Sequence, residues 1–380
     1  MKVVIAIDSF KGSLETLESG LAVAEGVRTV YPDAETVIRP LADGGEGTVS
    51  AVVSALGGVK RRACVTAPLG DKIIAEYGVI PDKKLAVIEM SAAAGITLVP
   101  EDKRNPLYTT TYGVGELILD AIELGCRNFI VGIGGSATND GGVGMLKALG
   151  FEFLDSNGLE IADGAEGLSN LQSIRRDNAC PSLSECRIRV ACDVKNPLCG
   201  DLGCSRIYGP QKGADEKMIS DMDVWLSRYA SLTKDVIPDA DANFPGVGAA
   251  GGMGFALKYY LGGELISGIE LVTEITELEE HIKDADIVIT GEGRLDGQSA
   301  MGKAPVGVAR LAKKYGKTVI AFAGAVTEDA AVCNENGIDA FFPIVRKPCT
   351  LDAAMDKKNA YENLKNTAEQ TFRLIRSCGI

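Results

Sequence analysis

Val3-Val4-Ile5-Ala6-Ile7-Asp8-Ser9-Phe10-Lys11-Gly12-Ser13 reads as a buried strand that ends on a carboxylate and runs into a short polar turn. An unbroken apolar run without alternation is what a parallel strand needs when both of its faces are covered. Beyond the turn, Leu14, Leu17, Leu21 and Ala24 recur at helical spacing, and Ser13 stands where a cap is needed. The segment is therefore a strand–turn–helix unit. Similar apolar runs rich in Val, Ile and Ala occur at residues 36–40, 85–90, 129–133, 188–192, 287–290 and 319–323. Strands of this kind separated by helical stretches predict an α/β architecture.

Outward from that first unit the pattern is uneven. Residues 61–77 alternate and predict antiparallel strands, whereas residues 158–185 are polar and loop-like. After residue 282 the clean units return, with Pro305 placed to open a helix and Gly316 to end it. The two chain ends are thus expected to form one parallel α/β domain from residues 1–60 and 283–380, with residues 61–282 inserted as a second, mixed α/β domain. Residues 352–376 predict one charged amphipathic helix that packs Ala360, Leu364, Ala368, Phe372 and Ile375 on a single face.

Composition removes several function classes. Net charge is −13, and the basic pairs are dispersed, which argues against nucleic acid as a partner. No apolar run reaches the ~18 residues that span a bilayer, so no membrane partner is expected. The apolar start is too short for a signal peptide, which makes the cytoplasm the expected compartment. The ten cysteines are scattered without a CxxC pair and read as free buried thiols in a reducing compartment, not as a zinc site. The one histidine, His281, lies in a charged helical stretch expected to be solvated, so a Ser-His-Asp or Cys-His mechanism is disfavoured. Proton handling then falls to carboxylates or lysines.

Five glycine-rich polar clusters stand at the ends of expected strands, where ligands bind in open α/β sheets. Asp8 and Lys11 form the first, Lys11 just before a helix N-terminus that suits an anion. The second is Asp43-Gly44-Gly45-Glu46-Gly47, leading into a helix from Thr48 to Leu56. The third, from Gly132 to Gly142, holds Ser136, Thr138, Asn139 and Asp140. It also contains a formal G-x-G-x-x-A at Gly132, Gly134 and Ala137 with Asp155 downstream, a dinucleotide-binding alternative that requires a helix to begin near Gly134. The fourth pairs Asp193 with Lys195 near Tyr208-Gly-Pro-Gln-Lys-Gly213, and the glycine-rich residues 245–254 lie nearby in sequence. The fifth runs through Gly291, Glu292, Arg294 and Asp296 to Lys303, with carboxylates suited to Mg²⁺ and cations suited to phosphate. Such an inventory fits phosphoryl transfer, which needs positioning and electrostatic stabilisation rather than covalent help.

Six strings in order then carry a resemblance: Asp8-Ser-Phe-Lys-Gly-Ser13, Pro40-Leu-Ala-Asp-Gly-Gly-Glu-Gly-Thr48, Gly132-Ile-Gly-Gly-Ser-Ala-Thr-Asn-Asp-Gly-Gly142, Cys192-Asp-Val-Lys-Asn-Pro-Leu198, Tyr208-Gly-Pro-Gln-Lys-Gly213 and Thr290-Gly-Glu-Gly-Arg-Leu-Asp296. The chain resembles the type I glycerate kinase family nearly end to end. The resemblance implies ATP and Mg²⁺ dependence, D-glycerate as acceptor and 2-phosphoglycerate as product. It also implies a Rossmann/flavodoxin-like parallel-sheet domain beside the inserted one, with the site in the cleft between them. On this footing Lys11 and the turn holding Asp43, Gly44 and Gly45 are expected to bind anionic groups. Ser136, Thr138, Asn139, Asp140 and Lys195 are expected to serve the substrate. Asp193 is the first candidate to orient the acceptor hydroxyl and Asp8 the second. Gly291, Glu292, Arg294 and Lys303 are expected at the nucleotide, with Glu292 and Asp296 at the metal. Phosphorylation at the 3-hydroxyl, an NAD(P)-dependent oxidoreductase and a non-enzymatic sugar-acid sensor are the alternatives, and homo-oligomerisation is left open.

Overall fold

The computed structural model describes residues 1–41, 47–301 and 303–379. Along the chain the strands are β1 (Lys2–Ile5), β2 (Glu35–Ile38), β3 (Val59–Thr66), β4 (Lys72–Ile80), β5 (Leu85–Glu89), β6 (Asn128–Gly132), β7 (Glu152–Leu154), β8 (Ser173–Arg175), β9 (Arg187–Ala191), β10 (Glu264–Ile266), β11 (Ile287–Leu295), β12 (Thr318–Val326) and β13 (Ala340–Pro343). The chain divides into two compact units, one of Met1–Asp43, Ser50–Leu56 and Ile269–Ile380, the other of Gly44–Val49 and Gly57–Gly268.

In the first unit five strands pair in parallel in the order β13-β12-β11-β1-β2. Successive residues of β1 point to opposite faces, and both faces are covered. Val3 and Ile5 join Val23, Val27, Leu364 and Phe372 in one core, while Val4 and Ala6 join Val288, Val306 and Ala309 in another. This double burial explains why the opening run is apolar throughout.

The helix Thr16–Val30 starts three residues later than the expected cap at Ser13. Glu15 precedes it, and its backbone N–H donates to Glu18 Oε2 at 3.1 Å. Leu17 and Leu21 are exposed, and the buried face instead carries Ala22, Val23, Ala24 and Val27. The expected single tail helix is two, Leu351–Met355 and Lys357–Ser377. The break is at Asp356, whose side chain accepts from the Asn359 N–H at 3.0 Å and caps the second helix. Ala360, Leu364, Ala368 and Phe372 are buried as expected.

Residues 269–282, read from sequence as part of the inserted segment, bury Ile269, Leu278 and Ile282 in the core of the first unit. His281 is half-buried rather than solvated and contacts the Arg39 guanidinium. Burial and the Arg39 charge push its pKa down. All ten cysteines are free thiols, but only Cys126, Cys204 and Cys333 are buried, while Cys64, Cys349 and Cys378 are exposed. Among the described residues no helix is long and apolar enough to cross a membrane.

The second unit contains a six-stranded sheet, β10-β9-β6-β5-β4-β3, with β5, β6, β9 and β10 parallel and the β3-β4-β5 edge antiparallel. The alternating stretch at residues 61–77 forms that antiparallel edge. Residues 158–185 contain β8, which pairs with β7, between short 3₁₀ turns. One continuous core, including Tyr77, Phe129, Val131, Phe153, Tyr229 and Phe255, fills this unit.

The helices Thr16–Val30 and Lys357–Ser377 pack closely because Gly26 faces the second one: a Cβ there would overlap the Lys365 carbonyl and crowd Ala368. Forcing side-chain atoms into a packed contact costs about 1–3 kcal/mol. Gly26→Val is therefore expected to lower the unfolding free energy by that order, read from urea denaturation, and an unchanged midpoint would contradict the close packing.

Candidate active site

In the first unit the chain leaves β1 towards β2 on one side, while β11 leads through β12 to β13 on the other. The direction of winding thus reverses between β1 and β11, and ligands of open α/β sheets bind at the strand C-termini at such a point. The two strand ends are tied together by Ala6 N–H to the Ile289 carbonyl at 2.8 Å and Asp8 N–H to the Gly291 carbonyl at 2.9 Å. A cavity of about 820 Å³ opens there, and Asp8, Lys11, Glu292, Arg294, Asp296 and Lys303 all line it. Residues from opposite ends of the chain therefore share one cavity.

The cavity's carboxylates differ in setting. Asp8 is only 8% exposed, and its Oδ1 accepts the Ser9 N–H at 2.7 Å. Glu292 Oε1 accepts from Ser299 Oγ at 2.5 Å. Burial pushes the Glu292 carboxyl up, opposed by that hydrogen bond and by Lys303 and Lys11. Asp296 organises its loop: Oδ1 accepts the Gln298 N–H at 3.0 Å and the Ser299 N–H at 3.2 Å. Arg294 Nε and Lys303 Nζ flank it at 3.5 and 3.7 Å. Lys303 immediately precedes the helix Ala304–Lys313, and Ala304 lines the cavity as well, so the helix N-terminus adds unpaired N–H groups to the cationic side. Gly291 has a packing reason, since a Cβ there would overlap the Phe322 carbonyl on β12.

In the second unit, β6 and β9 are neighbours with Gly132 opposite Ala191, so residues 133–142 and 192–198 leave adjacent strand ends. The first of these loops is pinned along its length. Ile96 N–H donates to the Gly135 carbonyl at 2.8 Å, Ala137 N–H to the Ala94 carbonyl at 2.9 Å, and Gly141 N–H to the Gly251 carbonyl at 2.9 Å. Gly134 and Gly135 are exposed, Gly135 at φ +73°, whereas residues 136–140 are buried. Asn139 donates from Nδ2 to Ser205 Oγ at 2.8 Å.

Asp140 holds the loop from within. It is 1% exposed and accepts from Thr111 N–H at 2.9 Å, Thr111 Oγ1 at 2.8 Å, Gly142 N–H at 3.1 Å and Gly144 N–H at 3.2 Å. Burial raises its pKa, and these donors oppose the rise. Its contacts are those of a scaffold. Asp193 and Lys195 are exposed beyond β9, and Asp193 Oδ1 accepts the Gly268 N–H at 2.9 Å. The dinucleotide alternative fails on its own condition, because the helix after this loop begins at Val143 and not near Gly134. Asp43, Gly44 and Gly45 lie outside the described residues.

Several participants were not singled out from sequence. Ser299 bridges Glu292 and Asp296, Thr111 and Ser205 hold the second unit's loop, and Glu89 at the end of β5 accepts the Val49 N–H at 2.7 Å. Lys212 lay inside a quoted motif but received no role. It is 2% exposed, and its Nζ donates to the Thr138 carbonyl at 2.6 Å. Only the motif itself marked that lysine, because its burial depends on residues far away in sequence.

A sequence model described as the glycerate kinase family matches residues 3–376. The chain is 54% identical to the glycerate 2-kinase of Escherichia coli K12 over 96% of its own length and 95% of that protein's. It is 46% identical to the glycerate kinase of Bacillus subtilis 168, covering 99% of this chain and 97% of that one. A crystal structure from Salmonella typhimurium LT2, provisionally assigned as glycerate kinase 2, superposes with a TM-score of 0.92 at 47% identity, covering 100% of this chain and 99% of that one.

Removing the Asp140 carboxylate leaves four donors in a buried site without their acceptor. Each unsatisfied buried group costs roughly 1–3 kcal/mol, so Asp140→Ala is expected to cost about 3 kcal/mol or more in denaturant unfolding. An unfolding midpoint equal to the parent's would remove the scaffold assignment.

Proposed function

The chain belongs to the glycerate kinase family, and on that premise we propose that it transfers the γ-phosphoryl group of ATP to the 2-hydroxyl of D-glycerate, giving 2-phosphoglycerate and ADP. The observation that carries the reading is its near full-length identity to a protein named for phosphorylation at that position. The chemistry of the first unit's cavity supports it. Lys11, Arg294, Lys303 and the helix N-terminus at Ala304 offer cationic and N–H donors to phosphate oxygens.

The same cavity suits Mg²⁺. Ser299 Oγ lies 2.5 Å from Glu292 Oε1 and 3.4 Å from Asp296 Oδ1, so two hard oxygen donors stand close together. Among the described residues there is no group of three or more acidic, His or Cys side chains that could hold a metal. That donor set fits an ion that binds through one or two carboxylates and completes its shell with water and substrate phosphates. Glu292 is the principal ligand in this reading, with Asp296 second because its Oδ1 already serves the loop. The ion would neutralise charge on the transferring group. Asp8 belongs to the phosphate side of the reaction, since it lines the cavity beside Glu292.

Glycerate is assigned to the second unit's loop. The exposed backbone of Gly134 and Gly135, with Ser136 beside it, can meet a carboxylate. Asp193, exposed at the end of β9 with Lys195 following, orients the acceptor hydroxyl and takes its proton as the oxygen attacks phosphorus. In these roles Lys195 attracts the anion, while Thr138 and Asn139 shape the loop.

The test is incubation with ATP, Mg²⁺ and D-glycerate followed by phosphorus NMR. A phosphate on carbon 2 couples to one proton and appears as a doublet. A triplet would move the reaction to the 3-hydroxyl, and no product would end the reading. Glu292→Gln is expected to raise the KM for Mg-ATP by about tenfold or more, and chelation of Mg²⁺ to stop turnover. Asp193→Asn is expected to cut kcat by about 10²-fold, the typical worth of a general base. Near-normal turnover in that variant would take the proton-accepting role away from Asp193.

A further inference from the structure

Lys212 is the one lysine among the described residues whose side chain is enclosed, at 2% exposure. An ammonium carries three donors, yet the hydrogen bond Lys212 makes is to a single neutral acceptor, the Thr138 carbonyl, at 2.6 Å. No carboxylate of the described residues forms an ion pair with it within 4.0 Å. Asp140, the nearest acid in sequence to Thr138, is already occupied by four donors. Burying a cation that no carboxylate contacts directly is unfavourable, and the charge of Asp140, in reach but not in contact, offsets that cost only in part.

Beside it lie two more incomplete groups. Thr138 Oγ1 and Asn139 Oδ1 are buried without a hydrogen-bond partner, while Asn139 Nδ2 is held by Ser205. The Thr138 carbonyl is enclosed from another side by the turn Ala250-Gly251-Gly252. All three of its residues have positive φ, at 54°, 68° and 90°, and a Cβ on Gly251 would overlap that carbonyl. Strain of this kind persists where the surroundings over-determine it, often at ligand sites. Two segments distant in sequence thus converge on one peptide group of the loop assigned to glycerate.

We propose that Lys212 is a positioning residue for the anionic acceptor: clamped to the Thr138 carbonyl, its ammonium sets a fixed positive charge behind residues 134–139 that draws the hydroxy-acid carboxylate onto the loop. The proposal rests on the glycerate reading above. A charge held in a low-dielectric interior acts more strongly than one in water, and the exposed Gly134 and Gly135 backbone gives the anion its point of approach. Burial pushes the Lys212 ammonium down to about 8, against the opposing influence of Cys204 and Asp140.

The experiment compares Lys212→Met and Lys212→Gln with the parent enzyme by steady-state kinetics in each substrate and by thermal melting. Glutamine retains a neutral donor for the Thr138 carbonyl, whereas methionine retains only the apolar stem. Both variants are expected to raise the glycerate KM by about tenfold or more while the ATP KM changes by less than about threefold. Lys212→Met is expected to melt at or above the parent's temperature, because a desolvated charge has been removed. An unchanged glycerate KM in either folded variant overturns the proposal. So does loss of folding in both, or a lowered melting point with both KM values intact, since each marks a merely structural lysine. A parent enzyme that does not phosphorylate glycerate would instead overturn the function from which the proposal starts.

Discussion

Val3, Val4 and Ile5 of β1 lie in parallel register with Ile287, Val288 and Ile289 of β11, and the first unit depends on this pairing. A parallel pair cannot be closed by a tight turn, and here about three quarters of the chain, residues 6–286, runs between the two strands. The pairing sets Asp8 beside Glu292 and turns two ordinary strand ends into the walls of one cavity. Because the winding reverses at this pair, no crossover connection covers the crevice, which leaves the strand ends available to a ligand. Burial on both faces holds the register, since a slip of one residue would exchange the side chains of the two cores.

The second unit solves a different problem. Its loop after β6 must hold polar groups in a buried position without letting them collapse on each other. Asp140 takes up the donors at the loop's end, and Ser205 holds the amide of Asn139. The glycines at 141 and 142, at φ +66° and +74°, let the chain turn against Met253, Ala256 and Tyr229, where a Cβ would crowd. Three incomplete groups lie together here: Thr138 Oγ1 and Asn139 Oδ1, which have no partner, and the Lys212 ammonium, which donates to one carbonyl. Among the described residues of this unit Arg104 Nε and Tyr229 OH, outside this loop in sequence, are also buried without a partner. Buried polar groups are costly when unpaired, so their concentration within one loop is informative about where a ligand acts.

Legibility in the sequence varied with the range of the interaction. All seven expected parallel-type strands fall within a residue or two of observed starts, because an apolar run of that length is a local property. Helix faces were harder: Leu17 and Leu21 lie on the exposed side of their helix, and small residues such as Ala22 and Ala24 are buried because Lys357–Ser377 packs close. The single tail helix failed for a local reason that was visible, a capping Asp356 inside the periodic pattern. Asp140 and Lys212 could not be sorted by residue type, since the same carboxylate or ammonium serves as scaffold or as binding group according to its partners.

By itself the sequence determined the α/β class, the positions of seven apolar strands and of the antiparallel edge, the polar clusters at strand ends and the family, because each is written in neighbouring residues or in ordered strings; the short strands β7, β8, β10 and β13 carried no such signal. The tertiary structure alone decided that Asp8, Lys11, Glu292, Arg294, Asp296 and Lys303 share a cavity, that Asp140 is filled by four donors, and that Lys212 is enclosed against a single carbonyl. The physical reason is that enclosure and hydrogen-bond satisfaction are set by whatever packs against a group, and deciding partners such as Thr111 for Asp140, Thr138 for Lys212 and Glu292 for Asp8's cavity stand tens to hundreds of residues away.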